Sequence, residues 1–457
     1  MASSYLSKSA SSGNSTTFTI SVWIKRLITG TATQMFNAHK ADSIAGHTNF
    51  GIDSNDRLDF STWSVNVLTT NRKLRDTNGW YHLVIQVDST NSTADDRVKM
   101  WINGVQETSF STRNNPSSSQ AFSVNDSAST HTIGAGNQNS GLVQHFDGFM
   151  SHFVLVDGSV VAPTAFGQTD ATSGIWKFKS PTGVTFGTNG VHLKFENSGA
   201  LGTDSSGNSN TYTVNGSLRQ ALDTPSNSYC LINRLQEPIA TQDSDMTFGN
   251  TKIAGNSSSW QRVYGSLGAR QGKWYYEFKN LNDNGSAGQC RLGWDSVDFI
   301  NMGTNNYYSG LTLDREGKLR GGESGHNSYD PDNVQMTAAY SGGNFSYTAN
   351  DILGMAIDID NNTFSVYKNG NLEINAYSYA SNSNCSLLKS KGHFIAPSWN
   401  WYSSSGNANR SCFNFGNGYF ETTAITSAGA NGNGSLFEYD VPSGYYAWNT
   451  ENINTYG

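Results

Sequence analysis

The chain is 457 residues long, a length that accommodates two β-sandwiches or three smaller domains. Only 14% of its residues are charged, and 29 Lys and Arg against 36 Asp and Glu leave a formal charge of −7. No basic run of five or more occurs, which argues against a surface that tracks a nucleic-acid backbone. Aromatics reach 12%, too many for a disordered polar chain, and no apolar run approaches the ~20 residues that cross a bilayer. The stretch Met1 to Lys8 has no apolar signal core. Cys230, Cys290, Cys385 and Cys412 stand singly, so neither a disulfide framework nor a zinc ribbon is expected, only buried or half-buried thiols.

In chain order, the first clear element is Phe18 to Ile24, where Phe18, Ile20, Val22 and Ile24 fall on one face of a strand. Tyr81, Leu83, Ile85 and Val87 repeat the alternation. Val98, Met100 and Ile102 then lead into Asn103-Gly104, a pair suited to the positive φ angles of a type I′ hairpin turn. Gly148 to Val156 reads as a further strand, closed by Asp157-Gly158. Trp176 to Lys179 and Val191 to Phe195 read as short strands that could tie the first sandwich to the second. From Ser198 to Asn227 the chain is rich in Gly, Ser, Asn and Asp, and a domain change is expected near Thr224-Pro225. Beyond it, Trp274, Tyr276 and Phe278 alternate with Tyr275, Glu277 and Lys279. Ile352 to Asp360, Asn361-Asn362, Thr363 to Lys368 and Asn369-Gly370 then spell strand, turn, strand, turn. No long amphipathic helical stripe occurs. The fold class expected is all-β: two antiparallel sandwiches with almost no helix, and Trp23, Trp80, Trp274 and Trp294 in their cores.

The residues Phe18 to Lys25, Gly79 to Val84, Arg97 to Gly104, Ile133-Gly134-Ala135 and Phe146 to Met150 resemble the laminin-G-like, concanavalin A-like jelly roll. Gly272 to Glu277, Arg291 to Trp294, Asp351 to Asp358, Phe364 to Gly370, Phe394 to Ser398 and Cys412 to Gly416 resemble a SPRY domain. The expected organisation is a jelly roll over 1–172, a β connector over 173–225 and a SPRY-like sandwich with a C-terminal tail over 226–457. With the connector Thr188 to Asn227 and the closing Val441-Pro-Ser-Gly-Tyr445, the combination is similar to virion structural proteins of tailed bacteriophages. The resemblance implies a non-enzymatic tail fibre, spike or tip subunit that adheres to host-surface polysaccharide. It further implies a homotrimer, other phage structural proteins as partners, no nucleic acid, no membrane insertion, and a location on the virion. Head or collar decoration, and a free carbohydrate-binding lectin, are the alternatives.

Catalytic signatures are not found. Glycoside hydrolysis requires two suitably spaced carboxyl groups, and Glu107, Glu196, Glu277 and Glu316 have no such partners in sequence; Asp358 and Asp360 close a strand at a turn. For a glycan, the requirement is an aromatic face beside amide or carboxylate groups. Trp399, Trp401 and Tyr402, and Tyr307 with Tyr308 in a long polar loop, are the candidates; the competing reading puts Trp399 and Trp401 in a core. No cofactor is required. Ca²⁺ at the sandwich rim, which the laminin-G resemblance implies, would take Asp53, Asn55, Asp56 and Asp204 as oxygen ligands, against the plainer reading of both segments as turns.

Overall fold

The computed structural model describes residues 4–236, 244–255, 261–282, 290–296, 310–321, 343–380, 388, 393–401, 409–420, 423–425 and 429–457. Its regular secondary structure is nearly all strand; the longest helix among the described residues is Thr450–Tyr456. No helix among them is long and apolar enough to cross a membrane. The chain divides into two compact units, Met1–Gln220 and Ala221–Gly457.

The first unit is two sheets facing across one core. The larger runs Phe110–Arg113, Val65–Lys73, Arg57–Thr62, His47–Ile52, Thr33–His39, Thr130–Ile133, Tyr5–Ser9, Thr213–Asn215. The smaller runs Val191–Leu193, Gly148–Asp157, Thr17–Arg26, Tyr81–Asp88, Val98–Ile102, Val105–Gln106. Phe18, Ile20, Val22 and Ile24 enter the core together with Leu83, Ile85, Val87, Val98, Met100 and Ile102, as period-two alternation demands. Asn103 and Gly104 adopt φ of 50° and 76°, the conformation expected of that hairpin turn. The Gly148–Asp157 strand breaks its pleat between Ser151 and Val154. There His152 takes φ of 49°, so Met150 and Phe153 both reach the same core; the bulge re-aims the side chains.

Two expectations are corrected here. Trp23 is buried, but on the opposite face of its strand from Phe18 and Val22. It stacks on His82 at 4.7 Å, and His82 stacks in turn on Trp176 at 5.9 Å. The smaller sheet is therefore covered on both faces, with Val84, Val154, Val156 and Phe166 forming a second apolar layer. Trp80 is only half-buried. The segment 173–225, expected as a connector, belongs largely to the first unit. Trp176–Phe178 pairs with Gly167–Thr169, Val191–Leu193 extends the smaller sheet, and Thr213–Asn215 pairs with Tyr5–Ser9 at the edge of the larger one. Each of these strands is only three residues long.

The second unit is again a pair of sheets. One runs Ser244–Thr247, Lys252–Gly255, Asn409–Asn414, Lys273–Asn280, Ile352–Asp358, Thr363–Lys368, Asn371–Ser378, with Tyr446–Ala447 added parallel to Lys273–Asn280. The other runs Gln261–Tyr264, Ile395–Trp401, Cys290–Ser296, Leu311–Asp314, Leu319–Gly321. Trp274, Tyr276 and Phe278 pack in the core with Trp294, Trp399 and Phe413, and Trp448 meets Trp274 at 5.0 Å. Tyr275, on the reverse face, is covered by Phe437, Val441 and Ala447. The phrase Val441 to Tyr445 is thus part of a cover over that sheet. Cys230, Cys290 and Cys412 are buried thiols; Cys385 lies outside the described residues.

Candidate functional site

The outward face of the larger sheet of the first unit is polar, because its strands place alternate residues there. His47 and Asn49 alternate with Thr48 and Phe50, and Asp59 and Ser61 with Leu58 and Phe60. Register aligns these into a row across five strands: Thr132 opposite Asn37, Asn37 opposite Asn49, Asn49 opposite Ser61, and Ser61 opposite Asn66. The Asn37 amide donates to Asn49 Oδ1 at 2.8 Å. The Asn49, Ser61 and Asn66 part of this row lines a cleft of about 410 Å³, together with Gln138, Gln144, Trp63 and Ser64. Trp63 is half-buried, its ring 5.3 Å from that of His47.

The cleft's own polar groups are only partly satisfied. Gln34 Nε2 donates to Gln144 Oε1 at 2.9 Å, while Gln34 Oε1 is buried without a partner. Gln34 lies across the sheet because position 51 is glycine; a Cβ there would come within 2.3 Å of that oxygen. Asp59 is 8% exposed. Burial pushes its carboxyl above the usual range, and the Thr69 and Ser61 hydroxyls offset that only in part; Thr69 Oγ1 donates to it at 2.6 Å. Asp53, also on the lining, is neutralised by Arg57 Nη2 at 2.6 Å. Amides, hydroxyls and one half-exposed indole, with little net charge, suit a neutral ligand rich in hydroxyl groups.

The residues singled out from sequence are placed elsewhere or otherwise. Trp399 is fully buried and donates its indole N–H to Cys290 Sγ at 3.2 Å, so it offers no ring face to a sugar. Trp401 ends the same strand, but its side chain, like Tyr402, Tyr307 and Tyr308, lies outside the described residues. The Ca²⁺ assignment also changes. Asp53 accepts the Asn55 and Arg57 amides as well as the Arg57 guanidinium, and Asn55 is an exposed member of that turn. Asp56 accepts the Gly30 amide at 2.7 Å and contacts Arg26 and Arg75 at 3.0 and 3.1 Å. Burial alone would raise Asp56, but these partners outweigh it and hold it below the usual carboxylate range. Asp204 accepts the amides of His192, Ser206 and Asn210 at 2.8–3.0 Å. These oxygens face N–H donors, which a cation would have to displace; the three aspartates organise turns.

The cleft itself was missed. Its signal was present in the alternation His47-x-Asn49 and Asp59-x-Ser61 opposite Phe50 and Phe60, with an aromatic at the Trp63-Ser64 turn.

Residues 1–165 match the family model of the concanavalin A-like lectin/glucanases superfamily. The first unit carries a concanavalin A-like jelly roll. The cleft therefore lies on the larger sheet of that jelly roll. No curated protein sequence matches the chain. Among solved structures, the SPRY domain of human HERC1 is 15% identical, with 40% of this chain and 96% of that one covered at a TM-score of 0.28. A heptameric SAP-like pentraxin from Limulus polyphemus is also 15% identical, over 35% of this chain and 71% of that one, at 0.26. Domain 4 of an extracellular arabinanase from Geobacillus stearothermophilus, solved with arabinotriose, is 22% identical over 33% and 65%, at 0.24. These likenesses assign no function to the chain.

Proposed function

We propose that the chain binds a neutral carbohydrate, without turning it over, in the cleft of the jelly roll. The observation that supports this most is the juxtaposition of the half-exposed Trp63 with a register-aligned row of Asn and Ser side chains. An indole face packs against sugar C–H groups while amides and hydroxyls meet its hydroxyls. Binding without hydrolysis is favoured because Asp53 is held by Arg57, which leaves Asp59 without a second unengaged acid on the described lining; glycosidases require a working pair.

The setting we propose is the surface of a tailed-phage particle, as a fibre, spike or tip component whose repeated copies add avidity for host polysaccharide. That setting rests on the resemblance carried by the Thr188 to Asn227 and Val441 to Tyr445 phrases. Calorimetry and glycan arrays on the full chain test the binding. Trp63→Ala is expected to weaken a bound oligosaccharide several-fold to about tenfold, with no release of reducing sugar by either protein. Unchanged affinity in that variant removes the cleft from consideration, and reducing-sugar release overturns the non-catalytic reading. Immunogold labelling of particles tests the location, and its absence from the virion leaves a free lectin.

A further inference from the structure

The hairpin between Thr33–His39 and His47–Ile52 brings two histidines and a carboxylate together. His39 and His47 are direct cross-strand partners, with ring centroids 5.4 Å apart. The intervening loop returns Asp42 so that its Oδ1 lies 3.0 Å from His39 Nε2. One ligand atom from each of His39, Asp42 and His47 lies within 4.8 Å of the other two.

The state of His47 is decided by its neighbours. Its Nε2 lies 2.9 Å from Asn49 Oδ1, an atom that only accepts, so Nε2 carries the proton and donates. Asn37 Nδ2, at 3.1 Å from the same nitrogen, already has acceptors in Asn49 Oδ1 and the Thr48 carbonyl. The remaining ring atom, Nδ1, is then a bare lone pair. It is buried with no partner, in a side chain only 1% exposed. A buried nitrogen acceptor without a donor costs free energy, and a histidine whose other N–H is fixed by an oxygen acceptor is the arrangement that metal-ligating imidazoles adopt.

We propose that His39, Asp42 and His47 bind a first-row transition-metal dication, Zn²⁺ being the reference case. Two imidazoles and one carboxylate suit zinc and its neighbours, not Ca²⁺, which takes six to eight oxygens. Tetrahedral bonds of about 2.0–2.1 Å place ligand atoms about 3.3 Å apart. The His39–Asp42 pair is already near that spacing, and the third ligand atom, within 4.8 Å of the other two, has at most about 1.5 Å to move inward. The His39–Asp42 hydrogen bond gives way as His39 Nε2 turns its lone pair to the metal; its proton moves to Nδ1 within the ring, by way of solvent. Asp42 remains oriented by the Asn139 amide at 3.1 Å. Three protein ligands leave at least one coordination position open, and His47 also lines the cleft. The metal site nevertheless stands apart from the carbohydrate reading, because it is probed with metal alone.

Zn²⁺ is titrated into the full-length, tag-free chain by calorimetry and by competition with a chromogenic chelator, and Co²⁺ supplies an absorption signature of low-coordinate nitrogen and oxygen ligation. One ion per chain is expected. His39→Ala and Asp42→Asn are each expected to weaken it at least tenfold and to remove the Co²⁺ band. His47→Gln serves as a third variant, with circular dichroism as the check on folding. Because Asp42 is 21% exposed and at a loop, its variant keeps the test decisive should the buried histidine variants unfold. No binding at micromolar Zn²⁺ overturns the proposal. So does binding of equal strength in folded Asp42→Asn and His39→Ala, which would put the ion on other histidines.

Discussion

Glu277 shows how a single side chain ties a sheet to the segment that covers it. It sits mid-strand on the face opposite Trp274 and Tyr276, fully buried, and its carboxylate accepts the amides of Glu438 and Tyr439 at 2.9 Å and the Asn414 side-chain amide at 3.0 Å. Burial raises its pKa to about 7, and those three donors only partly pull it back. The folded chain thus holds a proton that the unfolded chain releases between the ordinary value of 4.5 and about 7. This contribution to stability is complete below 4.5 and is lost as pH rises through that interval. Glu277→Gln cannot titrate. Chemical denaturation of both proteins from pH 4.5 to 8 is expected to show the wild type losing about 3 kcal/mol relative to the variant across the range. Parallel profiles would mean that Glu277 does not titrate in that interval.

Among elements, the short Trp176–Phe178 strand carries more than its length suggests. The Trp176 indole N–H donates to His82 Nδ1 at 3.0 Å, so His82 Nε2 carries the proton and donates to Ser21 Oγ at 2.8 Å. Burial holds His82 neutral, with its pKa down at about 3. Gly104 permits the approach, since a Cβ there would lie 2.5 Å from the Trp176 ring. Trp176→Ala removes the stack and strands a buried acceptor, an expected loss of about 2–3 kcal/mol, read by urea unfolding; a change below about 0.5 kcal/mol would show the strand to be mere decoration.

The partners of this element were illegible in sequence, whereas the strands of Phe18 to Ile24 and Val98 to Ile102 were plain. Alternation reports which residues share a face, and Asn103-Gly104 reports the turn, because both are local. The partner of Trp23 is not local. Nor is the bulge at His152, since a period-two reading presupposes an unbroken pleat. The cleft fails for the same reason: Asn37, Asn49, Ser61 and Asn66 sit on four strands, and only their mutual register makes them a row. Trp399 illustrates the converse, an aromatic that looks like a ligand platform beside Asn400 but whose strand parity turns it inward.

At the scale of the whole molecule, the division falls at Gln220 and Ala221, so most of the segment 173–225 lies in the first unit. A fragment of residues 1–220 is expected to express as a cooperatively unfolding monomeric unit. Residues 1–172 lack Trp176 and both added edge strands, leaving apolar surface and unpaired backbone exposed; this fragment is expected to aggregate, as size-exclusion chromatography would show. Equal behaviour of the two fragments would restore the connector reading.

The closing strands have a consequence for biosynthesis. Tyr5–Ser9 waits for Thr213–Asn215 before its outer edge is paired, and Cys230 waits for Trp448, whose carbonyl accepts its amide at 2.8 Å. Each unit therefore joins its earliest segments to its latest, contacts whose long loops make closure slow. Because both long closures fall within one unit or the other, the ribosome can release the first sandwich to finish while the second is still being translated. Only one unfinished sheet is then exposed to its neighbours at a time, and the order of synthesis becomes the order of folding.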